Sequence, residues 1–94
     1  MTTPVCKIGA DGTKQWWLNN QRHRSDGPAI EDASGAKQWF WNDRIHREDG
    51  PAIIFADGTK QWWLNDKRYS FANWCKKLNK SDVEITLLLL KYGC

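Results

Sequence analysis

Two short stretches hold the side chains best suited to chemistry. Residues 23–29 read His-Arg-Ser-Asp-Gly-Pro-Ala, and residues 46–52 read His-Arg-Glu-Asp-Gly-Pro-Ala. His23 with Asp26, and His46 with Asp49, have the types needed for metal ligation or an acid–base pair. An imidazole titrates near neutral pH, and a carboxylate both orients it and attracts cations. A structural reading competes and is preferred. The set recurs in register, and Tyr69-Ser70 replaces His-Arg at the third equivalent position. Such recurrence fits a loop in which Asp accepts backbone N–H bonds, Arg bridges to carboxylates, Gly turns and Pro starts a strand. No metal and no cofactor is therefore expected. No Ser or Cys stands in a recognisable nucleophile motif either, so no enzymatic activity is expected.

Binding chemistry has more candidates. Lys14, Lys37 and Lys60 occupy one equivalent position, and Arg24 and Arg47 another. With two strands per hairpin, equivalent side chains repeat every ~10 Å. Such a ladder suits a nucleotide or a nucleic-acid strand, above all where aromatics are interleaved. It also suits a plain solvated face, because Asp26, Glu48, Asp49 and Asp66 lie nearby in sequence. Fourteen basic residues against eleven acidic ones give a net charge of +3. That excludes an acidic nucleic-acid mimic and permits anionic partners without demanding them. Lys76, Lys77 and Lys80 read as the solvent face of a helix.

The aromatic residues are the other candidates. There are seven tryptophans in 94 residues, and each buried indole removes roughly 150–250 Å² from water. Neighbours on a strand point to opposite faces. Trp16, Trp39 and Trp62 then form one column, with Leu18, Trp41 and Leu64 on the same face. Trp17, Phe40 and Trp63 form a second column on the other face, beside Gln15, Gln38 and Gln61. Two readings stay open. Both columns are core because the sheet coils or the chain dimerises, or one is an exposed patch awaiting a partner.

The elements that position these residues follow from an internal repeat. Residues 11–19 and 57–65 both read Asp-Gly-Thr-Lys-Gln-Trp-Trp-Leu-Asn; residues 34–42 read Ser-Gly-Ala-Lys-Gln-Trp-Phe-Trp-Asn, and the copies are spaced by 23 residues. Each unit reads as a β-hairpin. Asp57-Gly58 is a strong two-residue turn and Ser34-Gly35 a weaker one. Asn19-Asn20, Asn42-Asp43 and Asn65-Asp66 give a further turn signal. Pro28 and Pro51 stand at strand starts, where a missing N–H is harmless. Pro4 begins the first hairpin similarly, with one extra residue around positions 7–9. The expectation is an α+β fold: three tandem 23-residue hairpin repeats in a six-stranded antiparallel meander, followed by two C-terminal helices. Residues 1–94 form a single domain, with repeats over 4–69 and a helical cap over 70–94.

In the tail, Phe71, Trp74, Cys75 and Leu78 mark one helical face, with Ser70 as N-cap. Ser81 and Glu84 form a capping box, and Gly93 suits the helix end. Val83, Leu87 and Leu90 make one apolar arc of the second helix; Ile85, Leu88, Leu89 and Tyr92 make another. A helix apolar on two sides must be covered twice. A homodimer through Ile85, Leu88, Leu89 and Tyr92 is one way to do it. The cysteines Cys6, Cys75 and Cys94 are odd in number and lack a C-x-x-C, which fits reduced thiols. Residues 1–4 show neither the basic nor the apolar region of a signal peptide. The apolar run over 85–90 is too short to span a bilayer, so a cytoplasmic location and no membrane partner are expected.

The unit Asp-Gly-x-Lys-x-Trp-Trp-x-Asn-x-x-x-His-Arg-x-Asp-Gly-Pro-Ala resembles the MORN repeat variant, a short β-hairpin repeat of bacteriophage and giant-virus proteins. The resemblance covers about residues 4–70, and the ending Leu-Leu-Leu-Leu-Lys-Tyr-Gly at 87–93 is similar to that of phage members. The chain departs in carrying Asn20, Asp43 and Asp66 where that pattern has Gly, which leaves the turn type open. The resemblance implies stacked hairpins in one extended sheet and a binding role; some bacterial relatives are described as antitoxins. The expected function is a small non-enzymatic binding protein, phage-encoded and acting in the host cytoplasm. It would inhibit or sequester a host protein, as an anti-CRISPR or other anti-defence protein does. The alternatives are a nucleotide or nucleic-acid sponge and an antitoxin-like neutralising partner. The residues expected to meet the partner are Trp17, Phe40, Trp41 and Trp63, with Lys14, Lys37, Lys60, Arg24 and Arg47.

Overall fold

A computed structural model describes residues 3–92. Ten short strands precede two helices: β1 (Val5–Ile8), β2 (Lys14–Leu18), β3 (Gln21–Arg22), β4 (Ile30–Glu31), β5 (Lys37–Gln38), β6 (Phe40–Trp41), β7 (Arg44–Ile45), β8 (Ile53–Ile54), β9 (Lys60–Leu64), β10 (Lys67–Tyr69), α1 (Phe71–Lys77) and α2 (Asp82–Tyr92). The main sheet runs β1-β2-β4-β5-β8-β9-β10 with β3 also on β2, while β6 and β7 pair apart. All pairings are antiparallel. The meander and the helical tail agree with the sequence pattern. The expected six strands become ten: each Trp-bearing strand turns back on itself, adding β3, β7 and β10, and the middle one is interrupted at Trp39, giving β5 and β6.

The turns exchange roles relative to expectation. At Asp11-Gly12, the Gly9 N–H donates to Thr13 and the Gly12 N–H to Gly9. The same two bonds recur at 32–36 and 55–59. Only Gly12, Gly35 and Gly58 are left-handed there, with φ of 91°, 97° and 90°. These are three-residue loops, a turn followed by a left-handed glycine, and not the two-residue turns the Asp-Gly pairs suggested. The aspartate explains why: Asp11 and Asp57 accept from the amides two residues on, and Asp32 from Ser34 and Ala36. The two-residue turns with both φ positive lie at Asn19-Asn20, Asn42-Asp43 and Asn65-Asp66, with φ between 49° and 66°. Asn and Asp tolerate that region through their short polar side chains. The first hairpin holds no extra residue near 7–9: Lys7↔Gln15 matches Ile30↔Gln38 and Ile53↔Gln61.

The helical tail forms as its caps dictate. Ser70 Oγ accepts from the Asn73 amide at 3.2 Å. Ser81 and Glu84 exchange both capping-box bonds, at 3.0 and 3.2 Å, and these hold the Glu84 carboxyl below its ordinary pKa. Trp74 and Cys75 are buried against Trp62 and Leu64, with Phe71, Leu78, Ile85, Leu88 and Tyr92 packed around them. The tail therefore covers one face of the third copy only. Ile85, Leu88 and Tyr92 are spent in this core, which corrects the dimer seam expected through them and Leu89. The outward arc is Val83, Leu87 and Leu90, 70%, 59% and 79% exposed. Lys76 and Lys77 face solvent as expected. Lys80 does not: its Nζ donates to the Glu48 carbonyl at 2.7 Å. Gly93 and Cys94 lie outside the described residues. No helix among the described residues is long and apolar enough to cross a membrane.

Candidate partner-binding groove

The recurring loop is built around its arginine. Arg24 lays its guanidinium over Trp16 at 3.9 Å, and Arg47 lays its own over Trp39 at 3.9 Å. Each Nε donates to the aspartate two residues on, Asp26 at 2.9 Å and Asp49 at 2.7 Å. Each Nη1 donates to a proline carbonyl, Pro28 at 3.1 Å and Pro51 at 3.0 Å. The Arg24 bond holds the Asp26 carboxyl below its ordinary pKa. The stack contributes about 1 kcal/mol and covers indole surface that no helix reaches. Gly27 and Gly50 do not turn the chain through a left-handed φ. They make room: a Cβ would stand 2.9 Å from Arg24 Cζ at Gly27, and 2.7 Å from Arg47 Cζ at Gly50.

The histidines tie one copy to the next. His23 Nδ1 accepts from the Asn42 amide at 3.0 Å, and His46 Nδ1 from the Asn65 amide at 3.1 Å. A backbone N–H can only donate, so the ring proton of the neutral tautomer sits on Nε2. In His46 that nitrogen meets Glu48 Oε2 at 2.7 Å. His23 is 8% exposed and its ring lies 4.2 Å from that of Trp41. Among the described residues no group of three or more His, Cys, Asp or Glu could hold a metal ion. The His–Asp pairs of the sequence do not meet as such: each aspartate serves its arginine instead.

Between consecutive loops lies an open groove of about 950 Å³. Residues 24–28 form one wall, residues 46–49 the other, and Trp39, Phe40 and Trp41 the floor. Trp41 is 47% exposed, whereas Phe40 is 5% exposed. Of the residues expected to meet a partner, Arg24, Arg47 and Trp41 converge here; Phe40 lines the floor but is itself buried. The others do not line it. Trp17 and Trp63 are half-buried on the opposite face: Trp17 lies under Lys7 and Arg22, and Trp63 donates to Gln61. Phe40 is covered by Arg22 at 4.5 Å, so the second aromatic column is not a continuous exposed patch. Lys14 and Lys37 each pair in register with Glu31 between them. Lys60 turns its Nζ back to the Gly58 carbonyl at 3.1 Å.

The groove was hidden from sequence reasoning because its walls are two loops 23 residues apart. Only the registered recurrence of His-Arg-x-Asp-Gly-Pro hinted that they would stand side by side. Three carboxylates, Asp26, Glu48 and Asp49, line it with two guanidiniums, and both guanidiniums already donate to protein acceptors. The site is shaped for an apolar or aromatic group flanked by donors, with no free cluster of cations. No family model matches the chain, and no curated protein and no solved structure matches it. The likeness to MORN repeat variants rests on the 23-residue pattern alone.

Proposed function

We propose that the chain is a small non-enzymatic binding protein that grips a partner protein in the groove floored by Trp39 and Trp41. We further propose that it is phage-encoded and that this grip inhibits or sequesters a host protein; an antitoxin-like neutralising role would use the same surface. The supporting observation is Trp41. A large indole left 47% exposed at the bottom of a concave site loses about 25 cal/mol for each Å² it would bury. Tryptophan and arginine in such a setting are the usual anchors of protein interfaces. An anionic ligand is disfavoured: Arg24 and Arg47 are engaged by carboxylates, and Glu31 splits the lysine column.

The test is a Trp41→Ser exchange. The tagged wild-type protein should carry one stoichiometric host protein through gel filtration, and the variant should lose it while keeping its circular dichroism. Retention of the complex by the folded variant would overturn the reading. So would a steeply salt-dependent complex abolished by neutralising Lys14, Lys37 and Lys60.

A further inference from the structure

The chain already contains an occupied version of the groove. Moving 23 residues along, Arg24, Gly27 and Pro28 become Arg47, Gly50 and Pro51, and the floor residues Trp39 and Trp41 become Trp62 and Leu64. That second groove is filled by α1 and α2. Trp74 lies 4.6 Å from Trp62 and donates its indole N–H to the Arg47 carbonyl at 3.0 Å. Tyr92 Oη accepts from Arg47 Nη2 at 3.1 Å and stands where a Cβ on Gly50 would meet it at 2.7 Å. Lys80 Nζ caps the Glu48 carbonyl at 2.7 Å.

In the open groove the same atoms stand ready. The loop is held identically: Nε to aspartate, Nη1 to the proline carbonyl, guanidinium over tryptophan at 3.9 Å. Among the described residues nothing donates to the Arg24 or Ser25 carbonyl, and Arg24 Nη2 makes no hydrogen bond. An indole donor, a phenol acceptor and an ammonium would satisfy all three. The floor and the walls differ between the two grooves. Leu64 becomes the larger Trp41; on the near wall Glu48 becomes Ser25; and the far wall, Tyr69-Ser70-Phe71-Ala72 in the filled groove, becomes His46-Arg47-Glu48-Asp49. The larger floor residue favours a less bulky occupant, and the carboxylates of the far wall favour a basic one.

We propose that the open groove is a receptor for a helical segment of the partner. That segment presents a tryptophan, a tyrosine and a basic side chain in the manner of this chain's own α1 and α2. The proposal rests on the binding role above and specifies the chemistry of its partner. A second copy is a poor occupant, because its Trp74 and Tyr92 are already spent.

The probe is a synthetic peptide of residues 70–92, titrated into the intact, isotope-labelled protein and followed by amide and indole N–H shifts. Saturable shifts are expected at 24–28 and at the indoles of Trp39 and Trp41. A peptide carrying Trp74→Ala and Tyr92→Phe should bind at least ~10-fold more weakly, the scale of one or two lost hydrogen bonds. In the protein, Trp41→Ser should weaken binding, whereas Trp41→Leu, which copies the filled groove, should keep or improve it. No shift at millimolar peptide would overturn the proposal. So would shifts centred on Trp62 and Leu64, which mean displacement of the resident helices, or on Val83, Leu87 and Leu90. A host partner held through Trp41, combined with a peptide that leaves the groove unperturbed, would sink the helix receptor and leave the binding role standing.

Discussion

At the scale of the residue, the arginines decide most. Arg24 and Arg47 each cover an indole, pin a proline carbonyl and hold an aspartate. A lysine could not do this, because it lacks the planar fork that stacks and donates in two directions at once. The glycines are there to admit the fork, which yields a graded prediction. Neither Gly27 nor Gly50 has a left-handed φ, so alanine costs nothing in backbone strain and gains up to ~1 kcal/mol from the unfolded chain. Against that stands the clash. At Gly27 it involves Arg24 alone; at Gly50 it involves both Arg47 and the Tyr92 hydroxyl. Overpacking of this kind costs typically ~1–3 kcal/mol. Urea denaturation should show Gly27→Ala mildly destabilised and Gly50→Ala distinctly more so. Alanine variants as stable as the parent would mean that the glycines serve something other than the guanidinium.

At the scale of the element, the Asn-Asn and Asn-Asp turns carry two functions that one substitution separates. All three close a strand with both central residues left-handed, a conformation in which glycine is more comfortable than any other residue. Asn20 has only that task. Asp43 also accepts from the Arg22 amide and from Arg22 Nε at 2.9 Å, tying its turn to the preceding copy. Asn20→Gly should therefore stabilise the protein, by roughly 0.5 kcal/mol, and Asp43→Gly should destabilise it. Chemical denaturation midpoints that move in the same direction would refute this division of labour. Much of this level was legible in sequence: the repeat length, the turn sites, the caps at Ser70 and Ser81, and the inward face of α1. What escaped had physical causes. A helix wheel shows two apolar arcs on α2 but not which one the sheet offers to meet, and Trp62 chose Ile85, Leu88 and Tyr92. Dipeptide turn rules made Asp-Gly a two-residue turn, whereas the aspartate side chain claims the next amides and lengthens the loop. Alternation placed the tryptophans correctly, yet it carries no information on loop residues folding back over them, as Arg24 and Arg47 do.

At the scale of the whole molecule, packing is lopsided. The buried cluster of Trp62, Leu64, Trp74 and Cys75 sits at the C-terminal end, while all four residues of β1 are exposed and Val5 and Ile8 remain 60% and 66% accessible. Between these ends the copies are joined by repeated local links: a histidine to an Asn amide, an aspartate to the strand before it, an arginine amide to the aromatic strand of the next copy. Stability in such an array is close to a sum over neighbours, so opening propagates from the weaker end. The open groove lies midway, one interval from the helices, which gives it a rigid wall at residues 46–49 and a softer one at 24–28. Native-state hydrogen exchange should resolve this as a gradient. Amides of β9 and α1 should exchange only through global unfolding, those of the 24–28 loop through a lower-energy opening, and those of β1 fastest among the strands. A ligand in the groove should slow exchange in the 24–28 wall more than in the 46–49 wall, because the softer side has more order to gain. Uniform protection from β1 to α1 would contradict the lopsided core and, with it, the assignment of the groove's two walls to unequal stability.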